Sequence, residues 1–177
     1  MKFKFLIICL ILLTACSGTN YDNEDVIAVL KGEEIKAKDI LSQYSLEDKN
    51  IEIYIKEEII ILEAKSKGIA VSEQEIQENK KMLFPGADTG EILKIIPDKD
   101  KEFYEKQAAV LGISPEEYFD IWNDAYHSRD AYIQKYIVQK FGEPTSVEDG
   151  ELLSEDIDDH INKLLSSYKE NGELILN

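Results

Sequence analysis

Val26-Ile27-Ala28-Val29-Leu30-Lys31-Gly32-Glu33-Glu34-Ile35 decides how the rest of this chain is read. The first five residues form an unbroken apolar run of strand length. Lys31-Gly32 then makes a two-residue turn, with Gly32 free to take a positive φ, and residues 33–35 return along the first strand. At the far end, Leu174-Ile175-Leu176 follows the helix stop Asn171-Gly172 and is a second short strand candidate. A lone terminal strand frays, and the hairpin is the only good edge available to it. The two ends are therefore expected to meet in a small sheet beside a helical body.

What lies between reads as helices. Residues 51–67 are ambiguous: Ile51-Glu52-Ile53-Tyr54-Ile55 alternates like a strand, yet Ile51, Ile55, Ile59 and Leu62 form a helical stripe. Length, together with Gly68 as a C′ glycine, favours helix. A shorter helix over about 37–44 precedes it. Ser72-Glu73-Gln74-Glu75 is a capping box that opens a helix running to about residue 84, before Pro85-Gly86. Residues 85–100, with two prolines and several acids, read as a loop with at most one helical turn. A helix through Phe103, Tyr104 and Gln107 ends at Gly112. Ser114-Pro115-Glu116-Glu117 is a second capping box, with proline at the first helical position, and opens the longest helix, over 115–141. Residues 142–154 read as a linker, and Ser154 as the cap of a last helix with the stripe Ile157, Ile161, Leu164, Leu165 and Tyr168.

The N-terminus carries a targeting pattern. Lys2 and Lys4 precede an apolar run over 5–13, and Thr14-Ala15-Cys16-Ser17-Gly18 follows. A basic start, a short apolar stretch and small residues at the exit describe a secretory signal peptide, and the run is too short for a membrane-spanning helix. Leu13-Thr14-Ala15-Cys16 resembles the lipobox of bacterial lipoproteins. That resemblance implies cleavage after residue 15 and acylation of the Cys16 thiol, the paired acyl chains supplying the two-signal anchor that stable membrane attachment needs. Residues 1–15 are then the signal, 16–25 a polar tether and 26–177 the folded domain. Of two cysteines, Cys9 leaves with the signal and Cys16 is consumed by lipid, so thiolate catalysis, zinc–thiolate sites and disulfides are not expected.

Charge narrows the partners. The 177 residues carry 20 Lys+Arg against 36 Asp+Glu. Cleavage after residue 15 removes two lysines and no acid, leaving 18 basic side chains and a charge of −18. Nucleic-acid binding depends on neutralising phosphates with cations, so a nucleic-acid partner is excluded as an expectation. With 44% hydrophobic residues the chain has material for a core and is not a disordered tail.

The order of parts resembles the N-terminal chaperone module of the SurA/PrsA-type extracytoplasmic foldases. The pieces that carry the likeness are the strand–turn–strand of 26–35 and the passage Lys67-Gly68-Ile69-Ala70-Val71-Ser72 between two helices. The third is the helix entry Leu111-Gly112-Ile113-Ser114-Pro115-Glu116-Glu117-Tyr118. In that family a C-terminal helix and strand return to complete the module, and residues 155–177 suit that role. The family usually inserts a parvulin prolyl-isomerase domain where this chain has only the 142–154 linker. The resemblance thus implies a mostly α, SurA-N-like domain that holds unfolded polypeptide without ATP and without isomerase activity.

Catalytic alternatives are thin. His127, beside Asp124, Ser128 and Asp130, reads as a solvated helix polar group, as does His160. Glu155, Asp156, Asp158 and Asp159 read as first-turn acids complementing a helix dipole, not as a metal cluster. No nucleotide, cofactor or nucleophile-elbow motif is present, so no enzyme activity, metal or cofactor is expected. The aromatics of 103–136 carry more. Phe103, Tyr104, Phe119, Trp122 and Tyr126 are the candidate polypeptide-binding residues, because tyrosine and tryptophan give contact area at low rotamer cost while tolerating water. The Tyr118/Trp122 stripe also suits core packing, which leaves Phe119 and Tyr126, off that stripe, as the better surface candidates.

The expectation is a lipid-anchored extracytoplasmic holdase whose partners are unfolded or nascent secreted polypeptides, held at the membrane through Cys16. The alternative is an envelope subunit that binds one folded protein. A solute-binding lipoprotein needs two α/β lobes and more chain than this. Replacing Cys16→Ala is expected to abolish metabolic labelling with palmitate; a label that persists in the variant contradicts the lipobox reading.

Overall fold

The computed structural model describes residues 21–83 and 85–177, so the signal segment 1–15, Cys16 and the first part of the tether lie outside the described residues. The elements, in order, are strands β1 (Val26–Leu30) and β2 (Glu33–Lys36), then helices α1 (Ala37–Leu41), α2 (Asp48–Ser66), α3 (Glu73–Leu83) and α4 (Thr89–Ile95). Helices α5 (Asp98–Leu111), α6 (Pro115–Phe141) and α7 (Val147–Glu170) follow, and strand β3 (Leu174–Leu176) closes the series.

The sheet has the order β2-β1-β3, with both pairings antiparallel. Lys31 (φ 51°) and Gly32 (φ 86°) both take positive φ, the geometry of a type I′ turn, which matches the twist of the flanking strands. On the other side of β1, Ala28 faces Leu176, Val29 faces Ile175 and Leu30 faces Leu174. Head and tail of the described chain thus close one sheet, as the sequence leads one to expect. Residues opposite one another share a face, so Ala28, Leu30, Ile35 and Leu174 point together into a core with Ile40, Leu41, Ile55, Ile59, Leu165 and Tyr168.

Residues 22–25 are not a free tether. Ala37 and Lys38 donate backbone N–H groups to the carbonyls of Asp25 (2.9 Å) and Asn23 (3.0 Å), and Glu24 pairs with Lys36 and Lys38. The expected tether is therefore docked over its last residues.

Two further expectations need correction. Residues 85–100 hold a real helix: Asp88 accepts from Glu91 N–H at 2.9 Å while the Glu91 carboxylate accepts from Asp88 N–H, a capping box that starts α4. The expected 142–154 linker shrinks to 142–146. Ser146 accepts from Asp149 N–H at 3.1 Å and starts α7 at Val147, so Ser154 is interior to the helix and not its cap. Gly150 lies in the first turn, where its helix cost is absorbed by the cap. Glu155, Asp156, Asp158 and Asp159 consequently sit beyond the first turn, and Glu148 and Asp149 are the acids at the positive end of the dipole.

Residues 51–66 fall within helix α2, with Lys67 as its C-cap, and the long helix spans Pro115–Phe141 with Ser114 and Glu117 forming its capping box. α2 packs against α6 and α7, while α3, α4 and α5 pack against α6. Among the described residues no helix is long and apolar enough to cross a membrane.

Candidate functional site

The five candidate aromatics lie on α5 and α6, which the turn at Gly112 (φ 73°) and the Ser114 cap bring together as neighbours. Tyr104 meets Phe119 edge-on at 5.2 Å and Trp122 at 5.3 Å; Phe103 meets Tyr104 and Tyr118; Trp122 and Tyr126 stack at 5.1 Å. The Tyr118 hydroxyl donates to the Leu41 carbonyl at 2.8 Å, and Gln43 donates to the Trp122 carbonyl at 3.0 Å. These two bonds tie the aromatic cluster to the end of α1 and to the turn that follows it.

Burial divides the candidates. Tyr126 is exposed and Phe103 and Trp122 are half-buried, whereas Tyr104 and Phe119 are buried. The expectation of Phe119 as a surface residue is therefore corrected: it is 1% exposed. Its cover is α4, whose Ile92 and Leu93 join the cluster and whose Thr89 hydroxyl donates to Asp120 at 2.5 Å. Read as a loop, 85–100 offered nothing to cover the Phe119 side of α6. Desolvation also pushes the Tyr104 phenol up to about 12, as expected of a ring inside a cluster.

His127 is not solvated either; it is 3% exposed, edge-on to Tyr126 at 5.2 Å, and its Nε2 has no partner among the described residues. α3 provides the cover. Lys80 pairs with Asp124, and Lys135 bonds the Ala70 carbonyl at 2.8 Å and Glu75 at 2.5 Å. Burial, then the Lys80 charge, hold the His127 pKa below its ordinary value, against a weaker pull from Asp130. His160 lies apart on α7, its Nε2 2.8 Å from the Tyr136 hydroxyl and its ring stacked on that phenol. Burial lowers its pKa too. The two histidines form no pair, and among the described residues no group of three or more His, Cys, Asp or Glu is arranged to hold a metal.

A second site lies where α2, α6 and α7 meet. Arg129, the only arginine in the chain, anchors it. Its guanidinium donates to Glu57 at 2.8 Å, pairs with Glu58, and lies 4.1 Å over the Tyr54 ring. Tyr44 donates to the other Glu57 oxygen at 2.5 Å, and Tyr168 of α7 donates to Glu63 of α2 at 2.7 Å. With the helices so fixed, Ile53 and Ile60 of α2, Ile133 of α6 and Ile161 of α7 line an open groove of about 360 Å³, with Lys56, Glu57, Asp158 and Asn162 as its polar lining. Sequence reading missed this groove. The signal for it was there, since Ile53 and Ile60 fall off the Ile51/Ile55/Ile59 stripe and make α2 apolar on a second face.

Neither cluster presents a nucleophile beside a base or converging hydrogen-bond donors aimed at a common point. What both present is apolar area bordered by charge. Comparison with protein-family models, with curated proteins and with solved structures finds no match to this chain.

The histidines set an acid response whose sign follows from burial. With the folded pKa of His127 and His160 below the ordinary 6.5, the unfolded chain binds more protons as pH falls through that value. Their effect on stability is absent well above 6.5 and grows as pH drops toward the folded values. Glu24 and Glu75, held near 2 by lysine partners, act only below their ordinary 4.5. The urea midpoint is expected to fall between about pH 7.5 and about pH 5, and to fall less in a His127→Gln/His160→Gln variant. An unchanged midpoint in the native sequence across that range contradicts the assignment.

Proposed function

We propose that this protein is a lipid-anchored extracytoplasmic chaperone, a holdase of the SurA/PrsA kind that works without ATP and without a prolyl-isomerase unit. The observation that carries the reading is the isoleucine groove between α2, α6 and α7. It is open, half of its eight lining residues are isoleucine, and the other half, Lys56, Glu57, Asp158 and Asn162, border that apolar stripe, with Glu57 already engaged by Arg129 and Tyr44. Such a surface buries apolar segments of many sequences and releases them, because affinity rests on area and not on matched hydrogen bonds.

The closed sheet supports the same reading through the resemblance that motivates it, since that family also completes its chaperone module with a returning helix and strand. The acidic balance of 36 against 20 acts in concert: it keeps loaded molecules apart and draws segments that carry lysine or arginine beside their apolar residues. The half-buried Trp122 and exposed Tyr126 supply a second, smaller apolar ledge on α6. Lipid at Cys16 would hold all of this at the outer face of the membrane, where secreted chains emerge unfolded.

A second reading, a subunit that binds one folded envelope protein, draws on the withdrawal of Tyr104 and Phe119 into the core. That leaves less adaptable aromatic surface than a general holdase is expected to show. The two readings part in one experiment. The full chain, purified with its lipid, is expected to suppress aggregation of several unrelated unfolded proteins, and Ile133→Asp or Ile161→Asp is expected to reduce that suppression severalfold. Protection of none of them, together with one stoichiometric folded partner recovered from membranes, would favour the second reading and defeat the first.

A further inference from the structure

The three-stranded sheet has two edges of opposite character. The β2 edge carries Glu33, Glu34 and Lys36, charges that discourage another strand from adding to it. The β3 edge reads Leu174-Ile175-Leu176 and carries none. The ladder fixes which backbone groups of β3 are engaged. Lys31 N–H donates to the Glu173 carbonyl at 2.7 Å, Asn177 N–H donates to the Ile27 carbonyl at 3.0 Å, and Ile175 stands opposite Val29 between them. Residues 173, 175 and 177 therefore face β1. By the alternation of an antiparallel ladder, Leu174 and Leu176 turn their N–H and C=O groups the other way, where no fourth strand stands among the described residues.

A cavity of about 220 Å³ adjoins this edge, with Ile51, Leu165, Leu174 and Leu176 in its apolar wall and Asp48, Glu52 and Lys169 as the charged part of its lining. Leu174 and Leu176 share the helix-facing side of the sheet with Leu30 and Ala28. A strand laid along β3 would send every second side chain to that same side, over the cavity.

We propose that the outer edge of β3 takes up an extended segment of a client polypeptide by strand addition, with one apolar client side chain seated in the cavity between β3, α2 and α7. The proposal rests on the chaperone reading and names the form in which that client is held. Main-chain pairing is indifferent to sequence, which suits many clients, while the cavity asks only for an apolar residue at one register position. Charge selects the occupant. Two copies of a chain with 36 acids against 20 basic residues repel one another across such an edge, whereas an unfolded segment with lysine or arginine flanking its apolar residues is attracted to it. An edge three residues long offers few hydrogen bonds, so the bound segment exchanges readily.

The test uses the full lipid-bearing chain in nanodiscs and an alternating valine–threonine nonapeptide with a lysine at each end. Two further versions of the peptide are N-methylated on alternate amides in one register or the other, so each blocks a different edge. Bound peptide is expected to slow hydrogen exchange at Leu174 and Leu176, and one methylated version, not both, is expected to lose affinity by about tenfold, the worth of roughly one net hydrogen bond. Leu176→Pro removes an outward N–H without touching the bonds to β1 and is expected to weaken the parent peptide to a similar degree. Equal binding by both methylated versions, with no slowing at Leu176, overturns the proposal and leaves the chaperone reading standing if aggregation is still suppressed. Slowed exchange at the same amides without peptide, rising with protein concentration, overturns it in favour of pairing between two copies. A chain that neither binds the peptide nor suppresses aggregation defeats both.

Discussion

Everything in this molecule hangs on β1 having a partner on each side. Its inner neighbour β2 is local and is set by a tight turn, but its outer neighbour β3 lies some 145 residues further along the chain. Closing a loop of that length is entropically costly, though the cost rises only logarithmically with length. Leu30 and Leu174, facing each other at 6% and 4% exposure, help offset it, with burial of such a side chain contributing about 1.5–3 kcal/mol. Because β3 follows α7 after a short turn, its docking also brings Leu165 and Tyr168 onto the sheet and α7 against α2. Without that pairing α7 has only part of its packing, and the isoleucine groove loses one wall.

The polar ties follow from the same geometry. A single arginine serves two glutamates and a tyrosine ring, all on α2, from the middle of α6. A bidentate, planar cation is suited to this and a lysine is not. Removing the guanidinium would leave Glu57 and Glu58 partly buried without their cation, a loss more costly than the pair's own worth. These ties hold α6 on α2, as the Tyr168–Glu63 bond holds α7 on α2, and together they keep the walls of the apolar groove that the proposed holdase function uses in place. Glu57 thus serves both the packing of α6 on α2 and the lining of the groove.

Much of the fold was legible because its punctuation is local. Ser114-Pro115 with Glu117, Gly112 after Leu111, and the Lys31-Gly32 turn each state a boundary through a side-chain bond or a backbone conformation, and the structure obeys them. The sheet closure was legible by elimination, since Leu174–Leu176 had nowhere else to pair. The Asp88/Glu91 box was hidden among prolines and glycines, and Gly150 obscured the true start of α7 at Ser146. Those misreadings propagated to the site. Without α4 as a lid, Phe119 looked like surface; His127 looked solvated for a different reason, since α3 was read as a helix but its docking on α6 left no mark in the sequence pattern. Periodicity tells which face of a helix is apolar but not which neighbour covers it; the groove of Ile53, Ile60, Ile133 and Ile161 depends on three helices meeting and left only a faint trace in the pattern of α2.

The most direct measurement of the central claim is a crosslink across the outer half of the sheet. Ala28 and Leu176 form a non-hydrogen-bonded antiparallel pair, the arrangement in which side chains lie closest and which best accepts a disulfide. After Cys16 the chain has no cysteine to compete. In an Ala28→Cys/Leu176→Cys variant the two thiols are expected to oxidise quantitatively under mild conditions and to raise the melting temperature. Thiols that stay reduced and freely alkylated in the folded protein would contradict the account.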